Sequence, residues 1–370
     1  MERGYKGMNN AFFKASQLQP ITNEIPKKKE SYMPMLHGKA TDAIALMPGI
    51  IITENRLNNT GIIDAGGVRL VISKLTELSG TLGVSTHKIL STAIALFTEH
   101  NHTGNGNQRA IRSCRISIPL KEYLLNCGYD VEEHLTETKE EAEKEAKRVK
   151  MAVDNARKKI KKDLLILKSS SLTWTEKIKG KSGDFADVGI LGAVAIKNGY
   201  IHIEFTLSMA EYLINLPLTQ YPISLLGVDE RNNNAYSMGL KMAEHFNLDN
   251  NQIRGNAQFL KVKTLLAYTD LPSVEDCKRL RRPFTERIKE PFENALDELT
   301  RKGFLKDWEY CFSKGVSMTD EEATAFGDYE KWANTLVHFT LKDAPVHTAR
   351  LEVRAEEKKT RKSKKAKKQA

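Results

Sequence analysis

The chain has 370 residues, with 57 lysines and arginines against 47 aspartates and glutamates, which gives a net charge of +10 at pH 7. This length favours about two domains, each large enough to bury its own core. No apolar run could span a bilayer and the first residues lack the apolar stretch of a signal peptide, so we expect a cytoplasmic protein. Cysteines stand only at Cys114, Cys127, Cys277 and Cys311, and without C-x-x-C spacing they indicate neither a zinc site nor a disulfide framework.

The first part of the chain predicts a leader followed by short elements. Residues 1–40 are polar and irregular, which is typical of a flexible leader. Apolar runs within residues 43–52 predict one or two strands, and the spacing of apolar residues predicts a helix over 68–78. A second helix is predicted from Ser85, with an apolar face that ends at Phe97.

A long helix is the main feature of the following segment. Residues 111–118 predict a strand, and Pro119 opens a short helix that stops at Gly128. Residues 137–162 then predict a helix with a narrow apolar stripe, acidic in its first turns and basic in its last. This polarity is explained either by compensation of the helix dipole or by a C-terminal half that faces DNA. The candidate DNA-binding residues on this helix are Arg148, Arg157, Lys158, Lys159, Lys161 and Lys162.

Alternating apolar residues predict strands over 164–175, 185–197 and 200–206. Lys179 and Lys181 lie in a basic connection between the first two of these strands, and we expect them to contact DNA. A helix followed by a hairpin with a basic tip is the order of a winged helix. The sequence therefore predicts a winged-helix domain over residues 41–215, followed by a junction near Pro217.

The second half predicts the same plan over residues 216–345. Helices are expected over 234–246, 256–268 and 273–280, and a longer one from Pro283 to Gly303 that Pro291 should kink or restart. Strands are expected over 304–312 and 335–341, with an acidic insertion near residues 320–328 between them. Helices followed by a hairpin again predict a winged helix.

Arginines cluster where the longer helix of the second half begins. Helix-turn-helix proteins place the N-terminal part of their recognition helix in the major groove, where arginine binds guanine edges. The alternative is a solvated basic turn with no ligand. The candidate DNA-binding residues in this module are Arg279, Arg281, Arg282, Arg287 and Lys289.

Enzyme and cofactor signatures are weak in this sequence. The Gly-Lys-Ser at 180–182 lacks the earlier glycine of a phosphate-binding loop, because Thr175 stands at that position. His100 and His102 have metal-ligand spacing but lie in a loop rich in Gly and Asn, which favours a solvated loop. We therefore expect no catalysis, no cofactor and no metal.

The last residues hold most of the net charge. Residues 346–370 predict a disordered tail, because a run of like charges cannot bury enough apolar surface to fold. Nucleic acid is the favoured partner; a tail that only aids solubility remains an alternative, and a membrane is disfavoured because no amphipathic face accompanies the charges. The basic residues of this tail are Lys358, Lys359, Arg361, Lys362, Lys364, Lys365, Lys367 and Lys368.

Three segments resemble a known family. They are GYIHIEFTLSMAEYLI at 199–214, NAYSMGLKMAEHF at 234–246 and RIKEPFENALDEL at 287–299. Together with the junction LPLTQY at 216–221, they are similar to theta-type plasmid replication initiators. The resemblance implies two winged-helix domains, a recognition helix at 287–299, binding to direct repeats of double-stranded DNA, a possible homodimer, and recruitment of host helicase and initiator proteins.

The sequence thus predicts a mainly α protein with small β-hairpins, an α+β fold of two tandem winged-helix domains between a flexible leader and a basic tail. The expected function is sequence-specific binding to origin DNA and initiation of replication of a bacterial plasmid or mobile element. The alternative is a transcriptional regulator, such as an autorepressor, that uses the same domains.

Overall fold

A computed structural model describes residues 32–36, 53–55, 60–65, 68–73, 83–101, 110–136, 138–175, 185–214, 218–248, 251–252, 254–324 and 326–342. The fold is mixed α/β, with more helix than strand. Within these ranges, no helix is both long enough and apolar enough to cross a membrane.

The first half contains both long helices and most of the strands. Its elements in chain order are β1 Tyr32–Leu36, β2 Thr53–Asn55, β3 Thr60–Ala65, β4 Val68–Ser73, α1 Val84–Asn101, β5 Arg115–Pro119, α2 Leu120–Asn126, α3 Lys139–Lys168, β6 Ser170–Thr175, β7 Phe185–Gly189, β8 Leu191–Lys197, β9 Tyr200–Phe205 and α4 Leu207–Ile214.

The second half contains shorter helices around one sheet. This half also contains a 3₁₀ turn at Ile223–Gly227 and a π-helical turn at Thr285–Lys289. Its elements are β10 Leu218–Pro222, α5 Asn233–Asn247, β11 Phe259–Lys261, α6 Val262–Leu266, α7 Val274–Arg279, α8 Glu290–Arg301, β12 Leu305–Ser313, β13 Val316–Ser317, α9 Asp320–Thr324, α10 Tyr329–Asn334 and β14 Leu336–Leu341.

Helix α1 forms the centre of the core. Every residue from Val84 to Thr98 is buried, including the polar ones, and the helix lies against β1, α3, α4 and β5. The apolar face predicted for it, which ends at Phe97, is confirmed. Buried polar side chains need hydrogen-bond partners. Thr92 and Thr98 find them in carbonyls of the same helix, and other side chains find them in other elements.

Two of those side chains tie α1 to the second half. The Nδ1 atom of His87 lies 2.7 Å from the hydroxyl of Tyr236 on α5, and that hydroxyl lies 2.8 Å from the hydroxyl of Tyr221 on β10. The ammonium of Lys88 donates a 2.5 Å hydrogen bond to the carbonyl of Val228. Burial lowers the pKa of His87 to about 3, so its imidazole is neutral at pH 7.

Two of the sheets repeat one arrangement. In the first, the strand order is β5-β9-β8, and in the second it is β11-β14-β12-β13. In each, the first strand in the chain runs directly into a short helix, α2 or α6, and pairs with the last strand of the sheet, β9 or β14. That last strand also pairs with an earlier strand, β8 in the first sheet and β12 in the second. Both modules therefore share the order helix, strand, short helix, longer helix and paired strands, although α7 precedes the longer helix of the second module and β6 and β7 follow that of the first.

The remaining strands correct the sequence predictions. A five-stranded antiparallel sheet has the order β2-β3-β4-β6-β7, so residues 68–73 form a strand and not the expected helix. The β-branched residues Val68, Val71 and Ile72 favour a strand, and the helical spacing was misleading. Strand β1, inside the predicted flexible leader, pairs with β10. The description as mainly α with small hairpins therefore underestimates the sheets.

Other boundaries also shift. Helix α3 starts at a capping box, in which Thr138 and Glu141 bond each other's backbone amides, and it continues to Lys168, where a strand was predicted from residue 164. Leu164 and Leu167 continue its buried face with helical spacing. The predicted strand over 185–197 is two strands in different sheets, and the predicted helix over 256–268 begins as β11, because residues 259–261 pair with β14.

Candidate nucleic-acid interface

The turn between α7 and the π-helical segment is built by backbone hydrogen bonds. Ser273 caps α7 by accepting from the amide of Asp276, as predicted. At the other end, the amide of Arg282 donates to the carbonyl of Cys277 at 2.9 Å. The amide of Arg281 donates to the carbonyl of Lys278 at 3.1 Å. This pair of bonds forms a Schellman motif, which ends one helix and directs the chain into the next.

Arg281 occupies the left-handed position of that motif, with φ of 50°. Glycine is usual there, because an L side chain in this conformation costs about 1 to 2 kcal/mol. Strained positions of this kind cluster at functional sites. The exposed arginine at the apex of the turn is therefore the first structural indication of a site.

Three of the predicted arginines present free charge at this turn. Arg281, Arg282 and Arg287 are exposed, and none of them forms an ion pair with a carboxylate of the described residues. Arg279 is different, because its Nη2 atom lies 2.7 Å from Oδ1 of Asp276. The uncompensated positive charge therefore lies at the start of the π-helical segment that leads into α8, where the sequence predicted a DNA contact.

Lys289 does not share this surface. Its side chain is buried, and its Nζ atom donates to the carbonyl of Ala323 at 2.8 Å and lies 3.5 Å from Oε1 of Glu293. The lysine therefore connects the helix to α9 and is not available to a nucleic acid in this conformation. Sequence spacing could not indicate this, because α9 approaches from a segment 34 residues further along the chain.

The π-helical turn explains how the long helix accommodates Pro291. A proline lacks an N–H and its ring meets the carbonyl four residues earlier, here that of Arg287. The wider π turn at Thr285–Lys289, in which the amide of Glu290 donates to the carbonyl of Thr285, relieves this contact. The kink or restart predicted at Pro291 is thus a π-helical segment that carries Arg287.

An aromatic cluster holds the start of the helix in place. The ring centroids of Phe284 and Phe292 lie 5.9 and 5.5 Å from that of Trp332 on α10, which is fully buried. The Nε1 atom of Trp332 donates to the hydroxyl of Tyr310 at 3.0 Å, and that hydroxyl donates to Oε1 of Glu293 at 3.1 Å. Helix α10, in the connection between β12 and β14, is therefore packed against the arginine-bearing helix.

The hairpin β12–β13 ends in an exposed tip. Gly315, with φ of 77°, makes the turn, and Phe312 and Val316 are 57% and 51% exposed. Lys314, also exposed, bonds the side-chain oxygen of Asn256. The tip therefore presents apolar as well as basic side chains to solvent.

The basic residues of α3 form a weaker candidate. Arg148 is held by Asp130, at 2.6 Å, and by Glu145, at 2.8 Å, and its guanidinium holds the pKa of Glu145 down at about 2. Lys159 is paired with Glu230 from the second half. Lys158, Lys161 and Lys162 are exposed and Arg157 is half-buried. The structure thus gives Arg148 and Lys159 intramolecular roles and leaves Lys158, Lys161 and Lys162 at the surface.

Lys179, Lys181 and the tail lysines and arginines from Lys358 to Lys368 lie outside the described residues. No protein-family model matches the chain, and no curated protein is significantly similar to it in sequence.

Proposed function

We propose that this chain is a sequence-specific double-stranded-DNA-binding protein with two winged-helix domains, and that it initiates replication at a plasmid or mobile-element origin. The observation that carries the proposal is the free arginine set at the turn before the long helix of the second module. Arg281, Arg282 and Arg287 are exposed there, and no carboxylate of the described residues neutralises them.

The repeated architecture supports the winged-helix interpretation. Each module has a helix, a strand, a short helix, a longer helix and later strands, and in each sheet the first strand in the chain pairs with the last. In a winged helix, the helix before the hairpin enters the major groove. Helix α8 with its π-helical start holds that place in the second module, and α3 holds it in the first.

Each arginine then has a distinct role. Arg287 lies in the first turns of the helix, next to the buried Ile288, so its side chain leaves the helix on a neighbouring face. We assign to it a bidentate contact to guanine. Arg281 and Arg282 precede the helix and contact phosphate, which positions the domain without reading sequence. The exposed tip at Lys314 is suited to the DNA beside the groove.

Initiation rather than repression is favoured by the family resemblance, which implies direct repeats at an origin, host helicase and initiator proteins as partners, and a possible homodimer. A winged-helix transcriptional regulator is the second candidate, since the same free arginines would serve it. Unwinding of AT-rich DNA next to the bound repeats, detected by permanganate reactivity of unpaired thymines, distinguishes an initiator from a regulator.

Binding of cognate and scrambled duplexes at one fixed salt concentration tests the assignment. We expect Arg287→Ala to lose about 1 to 3 kcal/mol on the cognate site and little on scrambled DNA. Arg281→Ala and Arg282→Ala should weaken both equally. Arg301→Ala is the matched control, because Arg301 lies at the opposite end of the same helix and pairs with Glu298.

An equal loss on both duplexes for Arg287→Ala would remove this helix as the reader. The basic half of α3, around Arg157 and Lys161, would then become the candidate. Unchanged binding in all three turn variants would contradict the DNA-binding role of the second module.

A further inference from the structure

Three potential metal ligands meet on one face of the second module's sheet. Glu309 on β12 stands directly opposite His338 on β14, and Cys311 follows on the same face of β12, two residues on. One carboxylate oxygen, one imidazole nitrogen and the sulfur all lie within 4.8 Å of one another. Cross-strand pairing brings His338 to Glu309 and Cys311, although even Cys311 lies 27 residues before it in the chain. Linear spacing therefore did not reveal the group.

The three side chains form a site that is open on one side. Cys311 is 1% exposed and lies at the bottom, whereas the side chains of Glu309 and His338 are 45% and 27% exposed and form the rim. Nδ1 of His338 lies 2.8 Å from Oε1 of Glu309, so the nitrogen and the carboxylate already point at each other. A cation could therefore enter from solvent and meet the sulfur beneath.

We propose that Glu309, Cys311 and His338 form a zinc site with three protein ligands and one open position. Thiolate, imidazole and carboxylate are the ligands that Zn²⁺ takes in proteins, at about 2.0 to 2.3 Å. Ligand atoms within 4.8 Å of one another need only small side-chain shifts to reach those distances. Magnesium and calcium are disfavoured because they prefer oxygen ligands.

Neighbouring residues support the ligands from outside. The ring of Phe259 on β11 stacks on the imidazole of His338 with centroids 4.7 Å apart, which fixes the orientation of the ring. The side chain of Ser317 on β13 hydrogen-bonds both Glu309 and Cys311. Partners of this kind orient metal ligands. Zinc would therefore join β12 to β14 beside the exposed hairpin tip, with Ser317 of β13 supporting two of the ligands.

Titration of the full chain with Co²⁺, followed by displacement with Zn²⁺, tests the site. We expect one equivalent of cobalt to give thiolate charge-transfer and tetrahedral d–d absorption, and zinc to abolish both. Cys311→Ser should lose the charge-transfer band, and His338→Ala and Glu309→Gln should weaken binding at least about tenfold. Cys114→Ser and His134→Ala, in the first module, are the matched controls and should bind as the wild type does.

Thermal unfolding in zinc and in chelator provides the second measurement. Zinc should raise the unfolding midpoint of the wild type but not that of Cys311→Ser. Glu309→Gln, which alters an exposed side chain, remains informative if a change at the buried cysteine prevents folding. Absence of a thiolate band in the wild type, or an unchanged band and affinity in both Cys311→Ser and Glu309→Gln, would overturn the proposal and leave the group as a cross-strand Glu–His pair.

Discussion

Arg281 combines a strained backbone with an exposed charge, and substitutions can separate the two. Arg281→Gly removes the guanidinium and suits the left-handed φ of 50°, whereas Arg281→Ala removes the guanidinium and keeps the strain. We expect both variants to lose the same DNA affinity, while Arg281→Gly exceeds Arg281→Ala in free energy of unfolding by about 1 kcal/mol. Chemical denaturation and DNA titration of the two variants check this. Equal stability would show that the turn is not strained at this residue.

His87 should make the stability of the protein depend on pH. Burial lowers its pKa from 6.5 to about 3. Below pH 6.5, the imidazole therefore binds a proton in the unfolded chain but stays neutral in the folded chain. The stability due to its neutral state is therefore lost as the pH falls, at about 1.4 kcal/mol per pH unit. Between pH 7 and pH 5, we expect the wild type to lose about 2 kcal/mol relative to His87→Gln.

Urea denaturation of both proteins at several pH values measures that difference. All other groups, including His245, whose pKa burial also lowers, are common to the two proteins and cancel. Parallel curves for the wild type and His87→Gln would contradict a buried neutral imidazole bonded to Tyr236.

At the scale of elements, the contact between α5 and α8 depends on Gly239. A Cβ atom there would lie 2.5 Å from Cδ2 of Leu225 and 2.9 Å from Cδ2 of Leu299, and both leucines are fully buried. Although alanine is the better helix former, overpacking should outweigh this and make Gly239→Ala less stable by about 1 to 3 kcal/mol.

Gly327→Ala is the matched control for that change. Gly327 is exposed, and a Cβ atom there would have no neighbour within 4 Å, so its effect should stay within about 0.5 kcal/mol. Thermal and chemical unfolding of both variants provide the comparison. If Gly239→Ala were as stable as the wild type, α5 and α8 would have room to move apart.

Local signals predicted the helices far better than the sheets. Ser273 marks a helix start with its side-chain oxygen, and Pro119 and Gly128 mark helix ends by their backbone conformation; each stands where the sequence placed it. Strands β11 and β1 depend on partners at least 75 residues away, which no local pattern contains. The same distinction applies to the candidate site. The exposure of the arginines could be predicted from the local turn, whereas the burial of Lys289 depends on its contact with α9, which is distant in the chain.

At the scale of the whole molecule, the two modules share a core and are joined by polar side chains of α1. His87 and Lys88 bond Tyr236 and Val228 of the second half, and Lys159 pairs with Glu230. Because the contacts of His87 and Lys88 are buried, separating the modules would expose apolar surface and leave buried groups without partners. We therefore expect the two modules to unfold in one transition.

The basic tail should add affinity without selectivity. If its eight lysines and arginines each neutralise a phosphate, the plot of log K against log salt steepens by about 0.9 per contact, or roughly seven units in all. Deletion of residues 358–370 should therefore flatten the salt dependence and leave the preference for cognate over scrambled DNA unchanged. Fluorescence anisotropy of the two proteins on both duplexes over a salt series measures the slopes.

Two tails of the same length separate charge from sequence. A tail with all eight basic residues changed to glutamine should behave like the deletion, because no phosphate contact remains. A tail with the same residues in shuffled order should behave like the wild type, because the release of counterions from the DNA depends on the number of charges and not on their order. A shuffled tail that failed to restore the salt slope would indicate a specific ligand for the tail, and an unchanged slope after deletion would show that the tail does not bind the DNA.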